Sequence, residues 1–261
     1  MIVTTSYDAD EATLHRALWI ANALKANFIQ RKKHSLKALL AIDREVIVVE
    51  KKSAKYFANE QEQPFFFHPS MAVLRINRLQ KGDNDILVSL TKLKSGDSFL
   101  DCTMGLGSDS IVASYIVGEQ GRVLGIESEQ VIGTLVKDGL QLGWKEDPKI
   151  DRAMKRIEVQ LLDHYQYLKL LPDQSFDVVY FDPMFRKGIK KSSSMVPLRK
   201  LANPNPLTIE TIEQAKRVAK RMVVLKENKN SSEFGRLGFT KIFRSSSTSY
   251  GVILIDGEVK R

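Results

Sequence analysis

The sequence predicts a doubly wound α/β fold, in which a mostly parallel, seven-stranded sheet is joined to a small N-terminal α/β lobe. From residue 98 onward, apolar segments of strand length alternate with segments of helical spacing, which is typical of βαβ units. The segment Phe176–Phe181 has the largely apolar character of a strand buried on both faces. Two apolar segments near the C-terminus predict a closing antiparallel hairpin.

Each element follows from hydrophobic spacing and from the turn residues that separate the segments. The N-terminal elements are a strand at 2–5, helices at 10–28 and 35–41, a strand at 45–50, and helices at 70–80 and 85–93. The strands of the larger sheet are 98–101, 122–127, 157–162, 176–181, 221–226, 239–244 and 250–256. The helices between them are 109–117, 129–142, 165–171 and 209–220. A boundary near residue 80 divides the chain into residues 1–80 and 81–261.

Composition indicates a globular protein of a reducing compartment. Hydrophobic residues make up 43% of the 261 residues, which excludes wholesale disorder. Cys102 is the one cysteine, so the chain cannot form an internal disulfide. The N-terminus has no signal-peptide pattern, and no apolar run reaches the roughly 18 residues that a membrane helix needs. We therefore expect a cytoplasmic protein.

The charge of the chain indicates a polyanionic partner. The formal net charge is +9, from 40 Lys and Arg against 31 Asp and Glu, and such an excess attracts nucleic acid. Basic residues cluster in Gln30–Lys55 and, without any acid, in Met184–Lys200. The candidate nucleic-acid-binding residues in the second cluster are Arg186, Lys187, Lys190 and Lys191.

A glycine-bearing loop follows the strand 98–101. Glycine lets a backbone approach a ligand closely, and the N-terminus of the next helix offers free N–H groups, so a nucleotide-like cofactor is expected here. Ser110 stands where a dinucleotide motif has its third glycine, and no phosphate-binding Gly-Lys-Ser/Thr sequence follows. The candidate cofactor-binding residues of this loop are Asp101, Gly105, Gly107, Ser108 and Asp109.

Acidic residues also end the next two strands. Glu127 can bind the ribose hydroxyls of an adenosine, which fits either a nicotinamide dinucleotide or S-adenosylmethionine; otherwise it is a solvated charge. Asp163 can hydrogen-bond an adenine amino group, or it can cap the following helix. Neither acid distinguishes between the two cofactors.

The sequence Asp182-Pro183-Met184-Phe185 ends the strand 176–181 and resembles the Asp/Asn-Pro-Pro-Tyr/Phe signature of enzymes that methylate planar exocyclic nitrogens. Such an amine is a poor nucleophile, because its lone pair is delocalised into the ring. A carboxylate and a backbone carbonyl can accept its N–H bonds and orient it, and an aromatic ring can stack on the base. The candidate catalytic residues are Asp182, Pro183 and Phe185. A strand-end turn with a core phenylalanine is the alternative.

Together these motifs resemble the RsmJ-type family of small-subunit ribosomal RNA guanine-N2 methyltransferases. The similarity lies in Asp101–Asp109, in Asp138-Gly139-Leu140, in the Met of Asp182–Phe185 and in Lys220–Val224, and it fades in the first 60 residues. It implies a Rossmann-like class I methyltransferase fold and S-adenosyl-L-methionine as cofactor. The cofactor contacts that it implies are Ser108, Asp109, Glu127, Ser128, Asp163, His164 and Asp182.

The leading hypothesis is therefore methylation of a base amine in RNA, most simply guanine N2 of ribosomal RNA, with the basic segment after Phe185 holding phosphates. Methylation of a DNA amine or of protein glutamine is the alternative within the same chemistry, and Met184 argues against it. A non-catalytic nucleic-acid-binding module would explain the charge, but not the acids and glycines at strand ends. Since no His/Cys cluster has metal-ligand spacing, we expect no metal. Phe65, Phe66 and Phe67 are expected to make core and lobe contacts.

Overall fold

The computed structural model describes residues 1–59, 63–183, 201–244 and 248–255. The predicted base-stacking residue Phe185 and the predicted phosphate contacts Arg186, Lys187, Lys190 and Lys191 lie outside the described residues. Within the described ranges, no helix combines the length and the apolar character that crossing a membrane requires.

The first sheet lies in the N-terminal part and has five strands in the order β2-β1-β3-β4-β5. The strands are β1 (Ile2–Thr5), β2 (Asn27–Phe28), β3 (Val46–Val49), β4 (Ala54–Phe57) and β5 (Phe65–Phe66). Strands β2, β1 and β3 run parallel, whereas β4 pairs antiparallel with β3, and β5 pairs antiparallel with β4 at the edge. The helices α1 (Glu11–Ala23) and α2 (Leu36–Ile42) connect the parallel strands. The sequence pattern did not predict β2, β4 or β5. Two of these strands, β2 and β5, have only two residues each, and the helix predicted at 10–28 ends at Ala23, before β2.

The second sheet confirms the predicted fold class. It has seven strands in the order β11-β12-β10-β9-β6-β7-β8. The strands are β6 (Ser98–Asp101), β7 (Arg122–Glu127), β8 (Glu158–Leu161), β9 (Phe176–Phe181), β10 (Ala219–Asn228), β11 (Lys241–Arg244) and β12 (Thr248–Leu254). Strands β8, β7, β6, β9 and β10 are parallel, and β12 and β11 close the sheet as an antiparallel hairpin. The strand order changes direction next to β6, where ligands of such sheets bind.

Helices precede and surround this sheet. They are α3 (Ser70–Gln80), α4 (Ile86–Thr91), α5 (Ser108–Val117), α6 (Gln130–Leu142), α7 (Pro148–Lys155), α8 (His164–Leu170), α9 (Ile209–Val218) and α10 (Glu233–Arg236). The sequence reading did not include α7, although Asp147 accepts hydrogen bonds from the backbone of Lys149 and Ile150 and Pro148 stands at its start, which are ordinary signals of a helix N-terminus.

Two apolar layers cover the two faces of the larger sheet. Because side chains alternate along a strand, Tyr180 and Val224 join one layer while Phe181 and Leu225 join the other. The first layer continues without a break into the N-terminal sheet, where it includes Ile47. The two sheets therefore share one core, and the boundary near residue 80 remains a prediction.

Helix α6 is the main contact between the two parts. Arg16 on α1 donates from Nε and Nη2 to the two carboxylate oxygens of Asp138, at 2.8 and 2.6 Å. The next residue of α6, Gly139, has no room for a side chain, since a Cβ there would lie 2.1 Å from the ring of Phe67. The Asp138-Gly139 pair thus fixes the N-terminal sheet against the larger one. Of the three adjacent phenylalanines, Phe65 is buried and Phe66 is exposed.

Candidate active site

A cavity opens at the carboxyl ends of β6, β7 and β9, at the place where the strand order changes direction. Its floor and walls include Thr103 and Gly105 after β6, Glu127 and Ser128 after β7, and Asp182 after β9. The segment that leads into α9 covers one side, where Asn203 Nδ2 donates to Ser128 Oγ at 3.3 Å. The topology therefore gathers strand-end residues that are far apart in the sequence.

The loop after β6 makes a tight turn into α5. Gly105 and Gly107 both adopt positive φ, of 50° and 70°, a region that other residues enter only with strain. A Cβ on Gly107 would also lie 2.9 Å from Met104 Cε. Gly107 is the N-cap of α5, and no side chain caps this helix. The first N–H groups of α5 are consequently not satisfied by a capping side chain.

Glu127 holds the loop in place from the neighbouring strand. Its carboxylate accepts hydrogen bonds from Gly105 N at 2.9 Å and from Glu129 N at 3.0 Å. Burial raises the pKa of Glu127 above its ordinary value, although these N–H donors oppose the shift. A carboxylate has about four acceptor positions, so Glu127 can still accept a hydrogen bond from a ligand hydroxyl.

Two residues after β8 have different roles: Asp163 caps the next helix, and His164 lines the cavity. Asp163 accepts from the backbone N–H groups of Tyr165 and Gln166, at 3.0 and 3.1 Å, and so caps α8. His164 lines the cavity and meets the ring of Phe181 edge-on at 6.0 Å between centroids. Burial lowers the pKa of His164, which favours its neutral form at pH 7.

Asp182 lies at the centre of the site and has two fixed contacts. Its backbone N donates to Thr103 Oγ1 at 2.6 Å, and its Oδ2 accepts from Lys226 Nζ at 2.6 Å. The structure gives its other oxygen, Oδ1, no partner among the described residues. Burial raises the pKa of Asp182 to about 6, with Lys226 opposing and Asp109 adding to the shift. The carboxylate is therefore charged at pH 7 and has one oxygen available to a ligand.

Lys226 also joins Asp182 to the helix of the glycine loop. Its Nζ lies 3.2 Å from Asp109 Oδ2, which additionally accepts from Tyr180 Oη at 3.0 Å. The other oxygen of Asp109 accepts from Arg75 Nη1 of α3 at 2.6 Å. Burial alone would raise the pKa of Asp109, but Lys226 and Arg75 hold it well below its usual range. Burial acts to lower the pKa of Lys226, but the carboxylates of Asp109 and Asp182 raise it above its ordinary value.

Asp101 lies beneath the loop rather than in the cavity wall. Its buried carboxylate accepts from Ser110 Oγ at 2.7 Å and from Thr103 N at 3.2 Å. Burial raises its pKa to about 7, and the charges of Asp109 and Asp182 add to this while the Ser110 bond opposes it. Asp101 therefore fixes the shape of the loop.

The structure brings Gly105, Glu127, Ser128, His164 and Asp182 together in the cavity wall, with Pro183 beside them. The other predicted cofactor residues, Asp101, Gly107, Ser108, Asp109 and Asp163, lie around this wall without lining it. Their contacts to the cofactor stay predictions.

Lys226 and Arg75 are charged contacts that the sequence pattern did not predict. Lys226 is the last residue of the predicted strand 221–226, and this position was a signal, since carboxyl ends of parallel strands meet at one edge. Arg75 lies on α3 and contacts Asp109 only because the tertiary fold brings the two helices together. No local sequence pattern indicates this contact.

Comparison with known proteins identifies this arrangement. A family model described as "Putative SAM-dependent methyltransferase" matches residues 24–237. The chain belongs to this family. It is 39% identical to the Bacillus subtilis protein named "Uncharacterized protein YpiP" over 254 residues, which cover 97% of this chain and 98% of that protein.

The motif resemblance is confirmed over part of the methyltransferase. The chain is 35% identical to Ribosomal RNA small subunit methyltransferase J of Buchnera aphidicola (strain Sg) over 151 residues, 56% of this chain and 59% of that relative. The crystal structure of the SAM-dependent methyltransferase NGO1261 from Neisseria gonorrhoeae superposes with a TM-score of 0.68 and covers 98% of this chain and 97% of that one. At 16% identity this match shows the fold.

The cofactor of the methyltransferase is S-adenosyl-L-methionine, and the chemistry of the residues that line the cavity suits it. Ile126 and Ile132 give apolar walls for a flat base. Glu127 and Ser128 present acceptor and hydroxyl groups where a ribose would lie, and Gly105 leaves the backbone open to the amino-acid part of the cofactor. When bound, the cofactor supplies an electrophilic methyl group on a sulfonium.

Proposed function

We propose that this methyltransferase transfers a methyl group to an exocyclic base amine in RNA, namely guanine N2 of small-subunit ribosomal RNA, in the cytoplasm. One observation carries the chemistry: Asp182 and Pro183 line the cofactor cavity, and Asp182 keeps one carboxylate oxygen without a partner among the described residues.

Asp182 and the Pro183 carbonyl both accept hydrogen bonds, so together they can hold the two N–H groups of an amine. This contact orients the nitrogen and increases the electron density on it. The pKa of Asp182, about 6, lets the carboxylate take up the proton that the amine loses. Lys226 keeps the carboxylate charged and in position by its 2.6 Å contact.

RNA is supported as the substrate by charge and by similarity. The formal charge of +9 favours binding of a polyanion, and Arg186, Lys187, Lys190 and Lys191 are the predicted phosphate contacts. The relative from Buchnera aphidicola is named a ribosomal RNA methyltransferase. A base inside a duplex would have to flip out to reach the cavity.

The proposal is tested with purified protein, S-adenosyl-L-methionine carrying a labelled methyl group, and unmodified small-subunit ribosomal RNA made by transcription. Digestion to nucleosides and mass spectrometry should detect N2-methylguanosine. Asp182→Ala should lower kcat/KM by about 10²- to 10⁴-fold, the range attributed to a positioned acid or base. The Asp182→Ala variant should still bind S-adenosyl-L-homocysteine, as measured by calorimetry.

Parallel reactions with duplex DNA and with ribosomal protein provide the opposing outcomes. Label in DNA or protein and none in RNA would overturn the proposal. Glu213→Ala is the control, because Glu213 is an exposed residue of α9 that pairs with Lys216 at 3.0 Å, and it should transfer label at the unaltered rate.

A further inference from the structure

A second cavity adjoins the cofactor cavity on the other side of Pro183. It has a volume of about 480 Å³, which is in the range of small-molecule sites. Pro183, Asn205 and Leu207 border both cavities. A group bound in the second cavity would therefore meet the cofactor cavity beside the residue that follows Asp182.

Glu227 is the buried acid of this second cavity. It is the penultimate residue of β10, so its side chain lies on the same face as Leu225 and on the opposite face from Lys226. Leu225 and Glu227 both line the cavity. The side chain is largely buried, and its Oε2 accepts from Asn228 N at 2.7 Å. No described residue bonds to its Oε1.

Glu227 is also electrostatically close to the catalytic carboxylate. After burial and the charge of Asp109, the charge of Glu227 is a further cause that raises the pKa of Asp182. Strands β9 and β10 are paired in parallel, with Leu225 opposite Phe181, so the residues that follow each strand lie at the same edge. Asp182 lines the cofactor cavity and Glu227 lines the second cavity, and Pro183 borders both. Each of the two adjoining cavities thus has one carboxylate at the same edge of the sheet.

The arrangement of two acceptors selects among the nucleobases. A carboxylate only accepts hydrogen bonds when it is charged. In adenine and cytosine, the ring nitrogen next to the exocyclic amine carries a lone pair and would repel a second carboxylate. In guanine, the ring nitrogen N1 next to the N2 amine carries a hydrogen. Guanine is therefore the amine-bearing base that offers donors to both groups.

We propose that the second cavity is the acceptor-base pocket and that Glu227 reads the guanine N1–H while Asp182 and the Pro183 carbonyl hold the N2 amine. This inference rests on the proposed function and goes beyond it by assigning the base selection to one residue. The polar rim of the cavity, which includes Asn230 and Ser231, would then face the sugar and phosphate of the bound nucleotide.

The test compares two RNA fragments that span the mapped target, one with guanine and one with 2-aminopurine at that position. 2-Aminopurine keeps the amine but has a lone pair on N1. The wild-type enzyme should prefer guanine by at least about 100-fold in kcat/KM, because a buried acceptor without its donor is strongly disfavoured. Glu227→Gln should lose about 10- to 100-fold on guanine.

The ratio of the two rates is the decisive readout. The amide that Glu227→Gln introduces can donate to N1 of 2-aminopurine, so the guanine preference should collapse in this variant. Glu227→Asp keeps a carboxylate and should keep the preference at a lower rate. Both rates come from the same protein sample, so any loss of folded enzyme cancels in the ratio. Glu213→Gln, the same change on the exposed face of α9, should leave both rates unchanged.

The outcomes separate the two proposals. If the wild-type enzyme methylates no base amine in RNA, the proposed function itself fails. If it forms N2-methylguanosine and Glu227→Gln keeps the guanine preference, the function stands and the role of Glu227 is overturned. If Glu227→Gln loses the preference while its affinity for S-adenosyl-L-homocysteine is unchanged, the assignment of base selection to Glu227 is supported.

Discussion

The two sheets of this protein offer similar edges, and only one of them carries the site. Each sheet has parallel strands followed by a helix. After β1, Asp10 caps α1 with its own side chain, which accepts from Thr13 N at 2.8 Å. After β6, α5 begins at Gly107 with positive φ and without a side-chain cap. A backbone N–H at the start of α1 is therefore satisfied by a neighbouring side chain, whereas the start of α5 has no side-chain cap.

The acidic residues at the carboxyl edges of the two sheets also differ in whether side chains close in sequence already bind them. Glu50 follows β3 and accepts from Lys55 Nζ at 2.8 Å and from Ser53 Oγ at 3.0 Å, both on its own hairpin. Glu127 ends β7, accepts from the backbone N–H groups of Gly105 and Glu129, and lines a cavity. A parallel sheet edge is therefore not a ligand site by topology alone, because local partners can occupy its polar groups first.

The largest effect is expected where the two sheets meet. Asp138→Asn removes the anion that the partly buried Arg16 binds at a buried position, and it should lower the free energy of unfolding by about 3 kcal/mol. Urea denaturation measures the change. Glu158→Gln is the matched control: Arg122 binds Glu158 through two bonds of 2.9 and 2.8 Å, but both side chains are about half exposed, and the cost should stay below about 1 kcal/mol. If the two variants lost equal free energy of unfolding, the larger contribution expected for the Arg16–Asp138 pair would be contradicted.

The next effect separates the two helix starts. Gly107→Ala places a Cβ at positive φ beside Met104, and it should weaken S-adenosyl-L-homocysteine binding by at least about tenfold, or 1.4 kcal/mol. Asp10→Ala should lower the melting temperature while leaving that affinity unchanged, since α1 needs its cap for stability alone. Calorimetry and thermal melting measure the two quantities.

Gly238→Ala controls for backbone strain in this comparison. Gly238 has a φ of 78°, and nothing lies within 4 Å of the position of its Cβ. This variant should lose stability through strain and keep its affinity for S-adenosyl-L-homocysteine. If it lost affinity as Gly107→Ala does, strain rather than the open helix start would explain the effect.

The smallest expected effect is a shift in the pH profile that tests the role of Lys226. The pKa of Asp182 is about 6 because burial raises it and Lys226 holds it down. Lys226→Met removes the cation, so this pKa should rise. Asp182 must be charged to accept the amine, so the acidic limb of kcat/KM against pH should move to higher pH by about one unit. Lys216→Met, at an exposed pair on α9, should leave the limb in place.

The sequence was most informative where one element carries its own signal. The strands at 98–101, 122–127 and 176–181 coincide with β6, β7 and β9, because each largely apolar run ends in an acid or is followed directly by one. The order of these strands places Gly105, Glu127 and Asp182 in one cavity wall. All three were candidates from the sequence because each ends a predicted strand or follows one.

The remaining contacts depend on the assembled fold. Arg75 binds Asp109 across 34 residues, and Lys226 binds the same side chain across 117 residues. No spacing rule connects such positions. Glu227 comes near the end of a largely apolar strand as Glu127 does, but only its burial and its place in the wall of the second cavity distinguish it from an ordinary solvated charge.

Lys226 serves two carboxylates that belong to different motifs, and this constrains how the protein can evolve. A lineage that replaced Lys226 would leave both Asp109 and Asp182 short of a counterion, and one that replaced either aspartate would leave Lys226 with a single partner. We therefore expect these three positions to change together among relatives of this chain. A covariation of this kind would let an alignment detect the contact without any structure.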